Sequence, residues 1–219
     1  MIVTIDGPAG TGKSSVARML AERLGFEFLN TGAMYRAVAY ACLQQSFDLS
    51  DAQAVGEVAH TVEILFESNR LYLNRQDVTE AIHGQEVTQS ASIVAANPQV
   101  RERLVELQRI VGRNRDLVTE GRDQGTVVFP NAECKFYLTA SAEERARRRQ
   151  LELEEKGEFI SLTDLIEQQE LRDRRDETRE CAPLLPAASA LLIDTTKMTL
   201  TEVAGYLEYL VHQKKNQSR

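Results

Sequence analysis

Hydrophobic and polar positions along the chain predict short strands that are followed by helices. Residues 1–6 form an apolar run, and a helical repeat follows with Val16, Met19, Leu20 and Leu24 on one side before Gly25 ends it. Four more strand-like runs lie at residues 26–29, 117–119, 135–139 and 191–194. Most of these runs precede a helical pattern, so the chain is predicted to be an α/β protein with a parallel sheet flanked by helices.

The alternation stops between residues 47 and 96. Residues 62–66 and 70–73 predict a hairpin with a turn at Glu67-Ser68-Asn69, and a third short strand is expected near Asp77. Asn97-Pro98 then marks a break before a helix over residues 99–111. We therefore expect a small α+β insertion over residues 47–96, within a core formed by residues 1–46 and 97–219.

The segment between the first strand and the first helix matches G-x-x-x-x-G-K-[ST], the phosphate-binding P-loop. Backbone N–H groups of such a loop hold phosphate, and the helix N-terminus adds partial positive charge. Lys13 can reach the β- and γ-phosphates, and Ser14 can offer its hydroxyl to Mg²⁺. The sequence therefore predicts that the chain binds a nucleoside triphosphate. The predicted binding residues are Gly7, Pro8, Ala9, Gly10, Thr11, Gly12, Lys13, Ser14 and Ser15.

Composition restricts the partners and the location. The net charge of −7 over 219 residues argues against a nucleic-acid-binding surface, so a polyanionic ligand requires a local cluster of Arg and Lys. The three cysteines are widely separated, which indicates reduced thiols in a cytosol. No export signal is visible, and no apolar run approaches 18 residues. We expect a cytoplasmic protein without a membrane segment, and a monomer.

Other P-loop classes lack support in the sequence. There is no D-x-x-G motif and no N-K-x-D motif, which GTPases need, and no apolar run is closed by Asp-Glu as in helicases and transporters. An ATP sensor without transfer activity remains open at this point.

Arginines are concentrated on two predicted helices near the end of the chain. Arg145 and residues 147–149 lie on the first helix, which Ser141 opens with a capping box. Arg172, Arg174, Arg175 and Arg179 lie on the second, and residues 156–163 form a hinge between the helices. The pattern alone fits a solvated surface, but it also fits a mobile lid over a phosphoryl group.

Four segments, in order along nearly the whole chain, resemble the bacterial cytidylate kinases, a family of nucleoside monophosphate kinases. They are IDGPAGTGK at residues 5–13, TGAMYR at 31–36, GRDQGTVVFP at 121–130, and RDRRDETR at 172–179 followed by Ala182-Pro183-Leu184. The third segment is far more specific than the P-loop. The resemblance implies that the insertion binds the monophosphate and that residues 145–180 form a helical lid.

The resemblance implies ATP-dependent and Mg²⁺-dependent phosphorylation of CMP and dCMP. Lys13, Arg122, Arg147 and Arg148 take the catalytic roles in this interpretation. Arg36 and Arg122 would bind the CMP phosphate, whereas Ser92, Arg101 and Asp123 would recognise cytosine. The full set implied for the substrate is Thr31, Arg36, Ser92, Arg101, Arg122, Asp123, Arg172, Asp176 and Arg179.

Several points stay open at the level of sequence. Ser92 could cap a helix, Arg101 could lie on a surface, and Asp123 could pair with Arg122. The family often has Asp where this chain has Asn30, and Gln124 occupies a position that is usually apolar. Another P-loop small-molecule kinase, of the UMP/CMP or shikimate type, is the alternative enzyme, and an ATP-binding regulator is the alternative outside enzymes.

Overall fold

The computed structural model describes residues 1–67, 70–155 and 157–217. The predicted turn at Ser68-Asn69 and the start of the hinge at Lys156 lie outside the described residues. The chain divides into two compact units. The first unit is Met1–Leu29 with Gly112–Arg219, and the second is Asn30–Val111.

The described residues form eight strands and eight α-helices. The strands are β1 (Ile2–Asp6), β2 (Glu27–Asn30), β3 (Ile64–Glu67), β4 (Arg70–Leu73), β5 (Gln76–Asp77), β6 (Leu117–Gly121), β7 (Cys134–Thr139) and β8 (Leu191–Asp194). The helices are α1 (Lys13–Leu24), α2 (Thr31–Gln44), α3 (Ala52–Thr61), α4 (Gln85–Val94), α5 (Pro98–Gly112), α6 (Ala142–Glu154), α7 (Leu162–Thr178) and α8 (Leu200–Gln217). A 3₁₀ turn covers Ala81–His83, and a single π-type turn covers Gln124–Val128.

The first unit is built on a five-stranded sheet in the order β2-β6-β1-β7-β8. The central strand β1 pairs in parallel with β6 and β7, and β7 pairs in parallel with β8. Val3 and Ile5 are fully buried on one face and Thr4 on the other, as expected for a sheet that helices cover on both sides. The predicted α/β architecture is confirmed. Asp6 lies in register with Gly121, so the carboxyl ends of β1 and β6 meet at one edge.

The second unit combines a three-stranded antiparallel sheet, β3-β4-β5, with helices α2, α3, α4 and nearly all of α5. Ile64 pairs with Leu73 and Leu73 with Gln76, which confirms the predicted hairpin and the third short strand. The unit begins at Asn30, whose side chain accepts a hydrogen bond from the Ala33 N–H at 3.0 Å and caps α2. An amide oxygen is sufficient for this cap, so the position does not need a carboxylate. The assignment of residues 47–96 as a monophosphate-binding domain stays a prediction.

Two further features concern the chain as a whole. Cys42 and Cys134 are buried and Cys181 is partly exposed, and all three are free thiols. Among the described residues, no helix has both the length and the apolar content that crossing a bilayer requires.

Candidate nucleotide-binding site

The P-loop connects β1 to α1 as the sequence predicts. Gly10 and Gly12 have φ values of 77° and 84°, in the left-handed region that favours glycine. Gly12 is the N-cap of α1, and its carbonyl accepts the first helical hydrogen bond from the Val16 N–H at 2.9 Å. The first N–H groups of α1 are therefore directed towards the loop, which is the arrangement that binds phosphate.

Lys13 lies inside this loop and is only 5% exposed. Its Nζ donates to the Pro8 carbonyl at 2.5 Å and to Thr11 Oγ1 at 3.4 Å. The pKa of Lys13 is lowered to about 7, mainly by burial and then by the nearby positive charge of Arg122, whereas Glu120 opposes the shift. A phosphate bound in the loop would restore the charged form of the amine, because a neighbouring anion favours the ammonium.

Ser14 lies next to a carboxylate that the sequence analysis did not single out. Its Oγ donates to Glu120 Oε1 at 3.0 Å, and Glu120 is 4% exposed near the carboxyl end of β6. Among the described residues no group of three His, Cys, Asp or Glu side chains forms a metal site. Proteins usually bind Mg²⁺ through one or two oxygens while phosphates and waters complete the shell, and Ser14 and Glu120 fit that requirement.

Asp6 joins the end of β1 to the segment that follows β6. Its two carboxylate oxygens accept hydrogen bonds from the N–H groups of Gln124 and Gly125, at 2.8 and 2.7 Å. Burial raises the pKa of Asp6 to about 6, although these two N–H groups act in the opposite direction. Asp6 therefore fixes the start of the π-type turn immediately after Arg122 and Asp123.

Gln124 has a structural explanation that its sequence position does not provide. The side chain is fully buried, and its Oε1 accepts a hydrogen bond from Thr119 Oγ1 at 2.9 Å. The polar residue thus satisfies a hydroxyl inside the sheet layer, where an apolar side chain would leave that hydroxyl without this partner.

Three arginines lie near the buried carboxylate of Asp176 in the first unit. Arg122 Nε and Asp176 Oδ2 are 2.8 Å apart, with 17% and 8% of the two side chains exposed. Burial alone would raise the pKa of Asp176, but the charges of Arg122, Arg172 and Arg179 together lower it. Four of the predicted substrate residues therefore lie close together. Arginines grouped in this way suit a phosphate, because each guanidinium can donate charge-assisted hydrogen bonds to its oxygens.

Asp123 is also buried, at 3% exposure. Its backbone carbonyl accepts from the N–H groups of Val127 and Val128, which close the π-type turn. Its neighbour Arg122 is paired with Asp176. The recognition of cytosine by Asp123 stays a prediction.

The two arginine-bearing helices pack on each other through Ala146, Leu153 and Leu165. Ser141 Oγ accepts from the Glu144 N–H at 3.2 Å, which confirms the predicted cap of α6. Arg147 is 61% exposed and pairs with Glu143 at 2.8 Å. The catalytic role of Arg147 stays a prediction.

Arg148 contacts the P-loop and the end of the sheet. Its Nη1 donates to the Thr11 carbonyl at 3.3 Å, and its Nη2 donates to the Thr195 carbonyl at 2.7 Å. This places one of the two predicted lid arginines at the loop, whereas Arg147 pairs with a residue of its own helix. The catalytic role of Arg148 also stays a prediction.

The remaining predicted substrate residues belong to the second unit. Thr31 begins α2, and Arg36 lies on the same helix five residues later. Ser92 lies inside α4 and is not its N-cap. Arg101 is 3% exposed, donates to the Ala95 carbonyl at 3.3 Å and lies 5.5 Å from the centre of the Tyr35 ring. Arg101 is therefore a buried residue, not a surface residue of α5.

The model of the family described as "Cytidylate kinase" matches residues 3–213. The chain belongs to the cytidylate kinase family. A cytidylate kinase of Rhodopirellula baltica is 46% identical over 213 residues, which cover 97% of this chain and 93% of that protein. A cytidylate kinase of Desulfitobacterium hafniense is 46% identical over 215 residues with the same coverage. These matches confirm the family resemblance that the four segments indicated.

The structural comparison concerns the fold alone. A shikimate kinase of Bacteroides thetaiotaomicron has a TM-score of 0.51 and 10% identity, and the match covers 97% of this chain and 98% of that one. Its likeness confirms the P-loop kinase fold of this cytidylate kinase family member.

Three residues at the site, Asp6, Glu120 and Asp173, were missed by the sequence reasoning, and Arg145 was expected only as one of the lid arginines. Asp6 and Glu120 lie at or near the carboxyl ends of adjacent parallel strands, which is a signal that the sequence did contain. Arg145 and Asp173 pair with each other beside the P-loop. Asp173 had no comparable signal, because an acidic residue within an arginine-rich helix is usually a surface partner.

Proposed function

We propose that this chain transfers the γ-phosphoryl group of ATP to CMP and to dCMP. Membership of the cytidylate kinase family supports the reaction. The observation that carries the proposal is the arginine cluster around Asp176, in the same unit as a P-loop that contains the buried Lys13. One unit therefore offers cations for the triphosphate and for a second phosphate.

The mechanism requires alignment and charge stabilisation, and it does not require a general base. The phosphate of CMP is already an anionic nucleophile, so no proton has to be removed before it attacks. Lys13 neutralises charge on the oxygens of the triphosphate, and Arg122 orients the attacking phosphate. Burial of both side chains excludes water and strengthens these interactions.

We propose Mg²⁺ as the metal that accompanies ATP. Mg²⁺ supplies charge neutralisation to the β- and γ-phosphate oxygens when it is bound. Ser14 would provide its hydroxyl oxygen as a ligand, and the Glu120 carboxylate, 3.0 Å from that hydroxyl, would orient it or hold a metal-bound water.

The roles that the resemblance gives to the remaining residues are part of the proposal. Arg36, Thr31, Arg172 and Arg179 would bind the phosphate or sugar of CMP. Three residues would select the base because cytosine carries a donor at N4 and acceptors at N3 and O2. They are Ser92, Arg101 and Asp123. The cytosolic location and the monomeric state stay predictions.

A coupled assay of ADP release tests the proposal. The full-length protein is incubated with MgATP and, in turn, with CMP, dCMP, UMP, shikimate or no acceptor. We expect rapid release with CMP and dCMP, and slow release with UMP. Release with shikimate alone would make the chain another small-molecule kinase, and ATP binding without release for any acceptor would make it a regulator.

A further inference from the structure

A buried ion pair from α6 and α7 holds the outer side of the P-loop. Arg145 Nη1 pairs with Asp173 Oδ2, and the two side chains are 8% and 11% exposed. The same Nη1 donates to the Ala9 carbonyl at 2.9 Å, and the Ala9 N–H donates to Asp173 Oδ1 at 3.2 Å. The pair therefore binds both backbone polar groups of one loop residue.

These two hydrogen bonds determine the direction of the adjacent peptide groups. In a trans peptide the carbonyl and the following N–H point in opposite directions. The Ala9 carbonyl is bound from outside by Arg145, so the Gly10 N–H is directed inward. The Ala9 N–H is bound from outside by Asp173, so the Pro8 carbonyl is also directed inward, where it accepts from Lys13 Nζ at 2.5 Å.

The packing around Gly10 shows that helices α6 and α7 lie directly against the P-loop. A Cβ atom on Gly10 would lie 2.9 Å from Arg145 Cβ and 2.9 Å from Gln169 Nε2. Gln169 Nε2 in turn donates to the Arg145 carbonyl at 3.2 Å. The helices thus approach the loop so closely that only a glycine fits between them.

We propose that Arg145 and Asp173 are positioning residues for the triphosphate, which fix the inward Gly10 N–H and the inward Pro8 carbonyl that holds Lys13. They act through the loop and do not touch the reacting atoms. This inference rests on the proposed function to the extent that the loop binds ATP. Preorganised donors cost no reorientation when the phosphate arrives, so their loss weakens binding.

Two substitutions at position 173 test this role. Asp173→Asn keeps an oxygen that can accept from the Ala9 N–H, but it removes the charge that faces Arg145. Asp173→Ala removes both. The measurement is the MgATP dissociation constant by calorimetry on full-length protein, well below each melting temperature. We expect Asp173→Ala to weaken MgATP binding by about tenfold or more, the effect of losing one charge-assisted hydrogen bond, and Asp173→Asn to weaken it less.

CMP binding without ATP is the second readout, and it should not be weakened in either variant. Glu170→Gln is the matched control, because Glu170 is an acidic residue of the same helix in an exposed pair with Arg174 at 3.7 Å. This control should bind MgATP as wild type does. Unchanged MgATP affinity in a folded Asp173→Ala protein would overturn the proposal.

A double variant separates positioning from stability. Arg145→Met with Asp173→Asn removes the buried charges together, and such replacements often restore stability that a single change loses. If the pair positions the loop, the double variant recovers its unfolding free energy but still binds MgATP weakly. Recovery of both the unfolding free energy and the MgATP affinity would mean that the pair only stabilises the fold. The comparison of Asp173→Asn with Asp173→Ala decides the proposal whether or not stability returns.

Failure of this inference is distinguishable from failure of the proposed function. ADP release by the wild-type protein with CMP tests the reaction, whereas the MgATP affinities of the variants test the positioning. A wild-type protein that binds MgATP but does not phosphorylate CMP would leave the affinity comparison fully informative.

Discussion

Two ionisable residues at the P-loop, Lys13 and Asp6, are buried, and burial disfavours their charged forms. Lys13 is 5% exposed and Asp6 is 3% exposed, and burial moves the pKa of each towards the neutral form, to about 7 and about 6 respectively. Such groups reduce the stability of the free protein, and they are typical of sites where a ligand supplies the missing partner. Stability and ligand binding are therefore in competition at these residues.

Substitution of Lys13 by Met tests this competition. The native pKa is about 7 and the unfolded pKa about 10.5, so between these values only the unfolded state binds the proton. The free energy of unfolding of the wild type should rise with pH across this window, by up to about 5 kcal/mol at 1.4 kcal/mol per pKa unit. Below pH 7 the burial penalty is fully present, so Lys13→Met should be the more stable protein there.

Urea denaturation of both proteins at pH 6.5 and pH 9.5 measures this difference. The advantage of Lys13→Met should shrink at the higher pH. A difference between the two proteins that does not change with pH would show that Lys13 does not titrate as described. The variant should also lose phosphoryl transfer to a greater extent than nucleotide binding, because its cation acts most strongly as charge moves.

Asp123 provides the second prediction at this scale. A carboxylate accepts from the N4 amino group of cytosine, whereas uracil presents an acceptor at the same place. UMP should therefore be disfavoured by about 2–4 kcal/mol, the cost of leaving buried polar partners unsatisfied. Asp123→Ala should lower activity and also narrow the ratio of kcat/KM for CMP to that for UMP. An unchanged ratio would mean that Asp123 has a structural role and that Ser92 and Arg101 recognise the base.

At the scale of elements, the segment after β6 depends on contacts from other strands. The π-type turn at Gln124–Val128 starts where Asp6 of β1 accepts two backbone N–H groups, and the Gln124 side chain returns to Thr119 of β6. These hydrogen bonds fix the direction of Arg122 and Asp123. A loop that presents charged side chains to a substrate is thus held by buried polar groups beneath it.

Gln124→Leu tests the support beneath the turn. The substitution keeps similar volume but leaves the Thr119 hydroxyl without its acceptor, so the unfolding free energy should fall by about 1–3 kcal/mol. Adding Thr119→Val removes the unsatisfied hydroxyl and should recover most of that loss. Urea denaturation measures both effects. A double variant no more stable than Gln124→Leu would show that the hydrogen bond is not the cause.

At the scale of the whole molecule, binding of both substrates should change the stability of two separate regions. The lid at residues 145–180 carries arginines that phosphate would bind, and the insertion at residues 47–96 carries Ser92, which the base would contact. Asp176, which belongs to the lid, already pairs with Arg122 of the core. Part of the lid is therefore held in place before any ligand binds.

Hydrogen exchange measures this expected change. CMP and MgATP together should increase amide protection in both regions by more than either ligand alone, because each ligand adds contacts to different residues. Helix α8, which packs on α1 in the first unit, serves as the internal control and should show little change. Equal protection with and without ligands in both regions would contradict the prediction.

The sequence by itself determined the elements and the triphosphate loop. The bounds of α1 at Lys13 and Leu24 agree with the predicted repeat, because a helix start at a P-loop and an end at Gly25 depend on local backbone preferences. The hairpin of β3 and β4 was predictable for the same reason, since alternation and a turn are local signals.

Only the tertiary structure decided which distant residues act on that loop. Asp173 is 164 positions from Ala9, and its contact depends on how α7 packs in the first unit. Gln124 had no explanation until Thr119 and Asp6 were placed beside it. Periodicity reports which face of an element is buried, but the hydrogen-bond partner of a buried polar group depends on another element, and no local pattern contains that information.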